Sequence, residues 1–142
     1  QKGLAWWLTQ YAFHAGIQQL VTDLNHLYKN QPALYQKQFS PEGFTWLAYD
    51  DHTNTVLTYL RKGQHAEDDL LVACNFTPVP RENYSVGVSK STPLQLVFNS
   101  DAVEYAGSGM GQQTVMPSKT PWHGQPYAVQ LTLPPLAVVV YR

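Results

Sequence analysis

The sequence predicts a mainly β protein, an antiparallel β-sandwich preceded by one helix. Three observations point there. Apolar spacing changes from a helical 3.6-residue period to period 2 and short apolar runs after Pro41-Glu42-Gly43. Those runs are separated by turn-forming Pro, Gly, Asn and Asp. No segment beyond residue 40 reads as the crossover helix that parallel strands would need.

Residues 1–16 carry Trp6, Trp7, Leu8, Tyr11 and Phe13. Left bare, such a density of aromatics would be an exposed hydrophobic patch, so the stretch is expected to pack on further structure. Ile17, Leu20, Val21, Leu24, Leu27 and Tyr28 then recur at the spacing of one helix face, with Gln18, Asp23, Asn25 and Lys29 elsewhere. Pro32 marks the end of this helix, because it lacks the N–H that would continue the ladder. Burying the face contributes roughly 1.5 to 3 kcal/mol per side chain, which requires a partner surface. The strands that follow, or another domain, must supply it.

Strands are expected at 44–50, 55–62, 69–76, 84–88, 94–99, 113–116, 127–133 and 136–142. The runs DLLVACNF and LAVVVYR do not alternate, as expected of central strands covered on both faces, whereas YAVQLTL alternates and should keep one wet face. Cys74 is accordingly a core residue. Ser100 to Gln112 is the longest irregular stretch and holds Gly107, Gly109 and Gly111.

A chain of 142 residues accommodates one domain plus a short extra element. Nine Lys and Arg against ten Asp and Glu give a net charge of -1, and the basic residues are scattered from Lys2 to Arg142. No clustered basic surface exists to release counterions, so nucleic acid is excluded as a partner. The run Leu136 to Tyr141 is far short of the about 20 residues that span a bilayer, and the N-terminus lacks a secretory apolar region, so no membrane partner is expected. A single cysteine rules out a disulfide framework and suggests a reducing compartment. The chain opens at Gln1 inside an apolar stretch and reads as part of a longer polypeptide.

Few residues are placed for chemistry. Asp50 and Asp51, and Glu67, Asp68 and Asp69, fall in expected turns, where short polar side chains are ordinarily solvated; no catalytic carboxylate pair stands out. His14, His26, His52, His65 and His123 form no metal-ligand spacing, and no metal or cofactor is expected. Burial in an apolar strand would leave Cys74 inert. Gly107-Ser108-Gly109-Met110-Gly111 lacks the Lys-Ser/Thr of a phosphate loop and reads as a turning loop. Asn75-Phe76-Thr77 and Asn83-Tyr84-Ser85 match the glycosylation pattern, which is short enough to arise by chance. Exposed aromatic rings are the usual stacking platform for the C–H faces of sugars, which makes Trp46, Tyr105 and Trp122 carbohydrate-binding candidates. Each Trp has a plainer reading, Trp46 as core in an alternating strand and Trp122 as a loop plug between two prolines.

The order of several blocks is informative. Trp6-Trp7-Leu8, His14-Ala15-Gly16, Gln19 to Tyr28, Pro41 to Trp46, Val72 to Arg81, Phe98 to Asp101, Tyr105 to Gly109, Pro121 to Pro126 and Leu131 to Ala137 together resemble the C-terminal end of bacterial 1,4-α-glucan (glycogen) branching enzymes. The resemblance covers essentially the whole chain. It implies an α-amylase-type catalytic (β/α)8 barrel in the same polypeptide, with residues 1–40 its terminal segment and helix and 41–142 a C-terminal β-sandwich. It implies cytoplasmic glycogen biosynthesis by a retaining transfer of α-1,4-glucan segments to a 6-hydroxyl. The three catalytic carboxylates of the family belong to blocks upstream of this sequence, so no residue here inherits a catalytic role. Gln10 stands where relatives often carry Asp. The domain is then expected to support barrel packing, or alternatively to offer a glucan-binding surface.

Overall fold

A computed structural model describes residues 15, 16, 18–20, 22, 23, 25–27, 29–34, 44–51 and 56–142, with 44–51 as backbone. The expectations placed on Trp6, Trp7, Ile17, Val21, Leu24, Tyr28 and the Trp46 side chain lie outside the described residues. Helical backbone occupies the described positions from 15 to 30 and gives way at Pro32, which opens a 3-10 turn, Pro32–Leu34. That is where a residue without an N–H should stop it.

Eight strands follow among the described residues: β1 Phe44–Asp51, β2 Val56–Arg61, β3 Leu70–Asn75, β4 Arg81–Val88, β5 Leu94–Asn99, β6 Thr114–Val115, β7 Tyr127–Leu133 and β8 Ala137–Tyr141. They form a six-stranded sheet in the order β1-β2-β3-β8-β5-β6 and a two-stranded sheet of β4 and β7, with every pairing antiparallel.

Side-chain alternation sorts the large sheet into two apolar layers. Leu71 and Ala73 of β3, with Val139 and Tyr141 of β8, point toward Val86, Val88, Val129, Leu131 and Leu133 of the small sheet. Leu70, Val72 and Cys74 share the opposite layer with Phe98, Val140 and Ala33, where Leu20 and Leu27 of the helix and Leu34 pack. β3 is thus buried along its whole length. Coverage on both faces explains its unbroken apolar run, and the wet Gln130 in β7 keeps the alternation of a one-sided strand. The strands that follow therefore supply the partner that Leu20 and Leu27 need.

Two features depart from the sequence reading. β4 begins at Arg81 rather than Tyr84, because Arg81 pairs with Leu133 around a bulge in which Asn83 takes φ 54°. Polar Arg81, Glu82 and Asn83 look like a turn, and only cross-strand pairing makes them strand. Asp68 is buried rather than a wet loop acid, accepting a hydrogen bond from the Arg142 guanidinium. Arg142 also donates to the Glu67 carbonyl at 3.2 Å and reaches Gln31 Oε1 at 3.4 Å, tying the helix end, the 62–69 loop and the end of β8. Charge neutralisation lets Asp68 sit inside.

Candidate functional site

Trp122 stands on a small hairpin built from local chemistry. Trp122 and Gln125 exchange backbone hydrogen bonds at 3.0 and 2.8 Å around His123 and Gly124, whose φ values are 51° and 72°. Two successive positive φ angles mark a type I′ turn, which matches hairpin twist. The hairpin rests on β4 at Gly87, where a Cβ would come within 2.0 Å of the Trp122 carbonyl oxygen. The Gly87 N–H also donates to His123 Nδ1 at 3.2 Å, which makes that nitrogen an unprotonated acceptor. The imidazole lies beside the indole, with ring centroids 5.8 Å apart. The side chain of Trp122 is left 47% exposed. Trp122 is therefore a wet ring on a fixed support, and the loop-plug reading does not hold.

Tyr105 lies elsewhere. It ends the 3-10 turn Val103–Tyr105, on the helix side of the large sheet, with its ring 5.6 Å from that of Phe98. Its hydroxyl donates to the Asp23 carboxylate, and its pKa is raised well above the ordinary phenol range by burial, by that hydrogen bond and by the nearby charges of Asp23 and Glu104. Asp23, His26, Gln31, Glu104 and Tyr105 help line an open groove of about 390 Å³ between helix and β5. Trp46 is placed by its backbone in β1, at the edge of the large sheet and opposite Tyr59. The three aromatic candidates thus belong to three different places and do not converge.

The glycine-rich loop binds itself. Asp101 Oδ1 accepts from the Ser108 N–H at 3.2 Å, while Oδ2 accepts from the Ser108 hydroxyl and from the Met110 N–H at 3.3 Å. Gly109 and Gly111 take φ 79° and 131°, and a Cβ on Gly107 would lie 2.2 Å from the Asp101 carbonyl oxygen. A carboxylate of the chain itself fills the cradle, so the loop is a tight turn rather than an anion site. Among the described residues no three His, Cys, Asp or Glu side chains gather as a metal site, and no helix is long and apolar enough to cross a membrane. Burial holds the Cys74 thiol above its usual range.

Asn75 has a structural role behind its glycosylation-like pattern. Its side-chain N–H groups donate to the carbonyls of Val79 (2.9 Å) and Pro134 (3.1 Å), and its oxygen accepts from the Thr77 N–H (3.0 Å) and hydroxyl (2.7 Å). It is 1% exposed. Around it stand three exposed apolar residues that sequence reasoning did not single out, Phe76, Val79 and Leu136. The available signal was Pro135-Leu136, a dipeptide placing Leu where turns after Pro favour Gly.

Comparison with known proteins settles the fold family. Residues 46–142 match the family model described as alpha amylase, C-terminal all-beta domain. The chain belongs to that family. Relatives of this alpha-amylase C-terminal domain extend the likeness upstream through the helix. The 1,4-alpha-glucan branching enzyme of Aquifex aeolicus is 46% identical over 100% of this chain and 23% of its own length. Those of Rubrobacter xylanophilus and Nitrosococcus oceani are each 45% identical, over 98% and 99% of this chain and 19% of their own lengths. The chain thus spans about a fifth of the curated relatives it matches. The resemblance read from the ordered blocks holds from one end of the chain to the other.

Proposed function

We propose that this chain is the C-terminal part of a 1,4-α-glucan branching enzyme acting in the bacterial cytoplasm, in which residues 1–40 close a catalytic barrel and 41–142 form the accessory sandwich. The whole-chain identity of 46% to a branching enzyme carries the reading. Asp23, one of the two carboxylates lining the groove between helix and β5, is engaged by the Tyr105 hydroxyl, and the resemblance implies that the family's nucleophile and acid/base lie in upstream blocks. Cleavage of an α-1,4 linkage and transfer to a 6-hydroxyl belong to the parent polypeptide, and this domain supports the barrel. Incubating the 142-residue chain and the parent enzyme with amylose tests the division. Only the parent is expected to form α-1,6 branches, and branching by the chain alone would sink the assignment of catalysis upstream.

A second reading is that the sandwich itself holds α-glucan, and the exposure of Trp122 favours it. A ring fixed by its turn loses little freedom when a sugar stacks on it. Affinity electrophoresis in glycogen is expected to retard the chain and to lose most of that retardation in Trp122→Ala. Equal mobility with and without glycogen would remove this reading.

A further inference from the structure

Three hollows adjoin on the helix side of the large sheet, of about 460, 390 and 370 Å³. Glu104 lines all three and Tyr105 lines two of them, so the Val103–Tyr105 turn stands at the centre of one elongated furrow. Gln19, Asp23, His26 and Asn30 of the helix form one wall, and β5 supplies apolar backing. Each hollow reaches the size of a small-molecule site, and joined end to end they suit a chain rather than a compact ligand.

The lining narrows the chemistry of that ligand. No Lys or Arg lines any of the hollows, so a phosphate or carboxylate group would meet Asp23 and Glu104 without a counter-charge. Among the described residues no three His, Cys, Asp or Glu side chains gather to hold a metal. What the furrow offers is carboxylate acceptors beside amides that both donate and accept, the complement of a row of hydroxyls. An aromatic ring at the centre matches the C–H face of a sugar.

The walls are set before a ligand arrives. The Tyr105 hydroxyl donates to the Asp23 carboxylate, whose Oδ1 accepts from Gln19 Nε2 at 2.9 Å. Phe98 backs the Tyr105 ring, with centroids 5.6 Å apart. Gly16 lets the helix sit directly on the turn, since a Cβ there would come within 2.7 Å of the Tyr105 carbonyl carbon. Glu104 is exposed and makes no hydrogen bond to a described residue, which leaves its carboxylate free to accept. Fixed walls lose little freedom on binding. Taking the choice of sugar from the glucan reading above, we infer that this furrow is a second glucan-binding site, separate from Trp122, where a linear α-1,4-linked segment crosses the Val103–Tyr105 turn and donates hydroxyls to Glu104. A polysaccharide long enough to reach both sites is held more firmly than a short one.

NMR titration of the isotope-labelled 142-residue chain with maltoheptaose tests the site. The backbone amides of His26, Glu104 and Tyr105 are expected to shift and to saturate by about 10 mM, as millimolar sites do. Glu104→Ala, an exposed change, should leave the thermal midpoint within about 2 °C and weaken binding in the furrow about tenfold, the effect of losing a hydrogen bond to a charged group. Trp122→Ala should leave the furrow shifts as they were. Furrow amides that stay still, or that titrate equally in Glu104→Ala, would overturn the site. Shifts confined to Trp122 and His123 would do so while the Trp122 reading survives, and shifts confined to the furrow would remove that reading and keep this one. A response to trilysine at the same concentration, with none to maltoheptaose, would overturn the site in favour of a cationic ligand.

Discussion

The two ends of the sandwich use the same local device to opposite effect. At one end Leu136, at the other His123 and Gly124, put the backbone into the left-handed region so that an apolar neighbour or side chain is displayed to solvent. The Leu136 end is anchored in the core by Asn75, has no charged residue within its two loops and carries three exposed aliphatic or aromatic residues, which suits a broad dry contact. The Trp122 end displays one indole from a hairpin whose backbone sits on Gly87, with polar Lys119, Thr120 and Gln125 nearby in sequence, which suits an amphipathic ligand touched on one face. What separates them is the number of rings and methyl groups held together, since a single exposed ring cannot exclude water from a protein interface.

Breaking the anchored end should have the largest effect. Asn75→Ala takes the side-chain donor from the buried Pro134 carbonyl and the acceptor from the Thr77 N–H, leaving Val79 to the Thr77 hydroxyl, and is expected to cost about 1 to 3 kcal/mol in urea denaturation. A loss below 0.5 kcal/mol would mean that the loops hold without it. Gly87→Ala comes next. Its Cβ collides with the Trp122 backbone, so the hairpin must shift at a cost of about 1 to 3 kcal/mol, and the Trp emission maximum should move. Unchanged emission and stability would show that Gly87 is not the seat of the hairpin.

The smallest effect is a pH dependence on the helix side. The phenol of Tyr105 has its folded-state pKa raised above the ordinary 10.0, by burial first and then by Asp23, so the fold favours the neutral form. Its contribution is present below about pH 10 and is lost as pH rises beyond that value. Tyr105→Phe should therefore flatten the alkaline decline in stability, leaving the part due to the Tyr59 and Tyr141 phenols and the Cys74 thiol, all of which burial also raises. An alkaline decline identical to wild type would assign the effect to those three groups.

Period and punctuation were legible in the residues. The alternation of YAVQLTL, the unbroken DLLVACNF and LAVVVYR, and Pro32 after the helical face located the strands and the helix end, because each reflects how many sides of a segment are covered. The burial of Cys74 followed from the same rule. Asp68 did not follow, since its partner Arg142 is remote in sequence and a buried ion pair leaves no local pattern. Nor did the separation of Trp46, Tyr105 and Trp122, which share a chemistry but not a neighbourhood.

The sequence by itself determined the antiparallel class, the central strands and the family, because hydrophobic periodicity and ordered motifs are written along the chain. Only the tertiary structure decided which layer the helix covers, that Trp122 stays wet and which loops meet at one end. Those depend on register between strands far apart in sequence, where a contact such as Gly16 on Tyr105 or Leu136 on Thr77 is fixed by space rather than by neighbours.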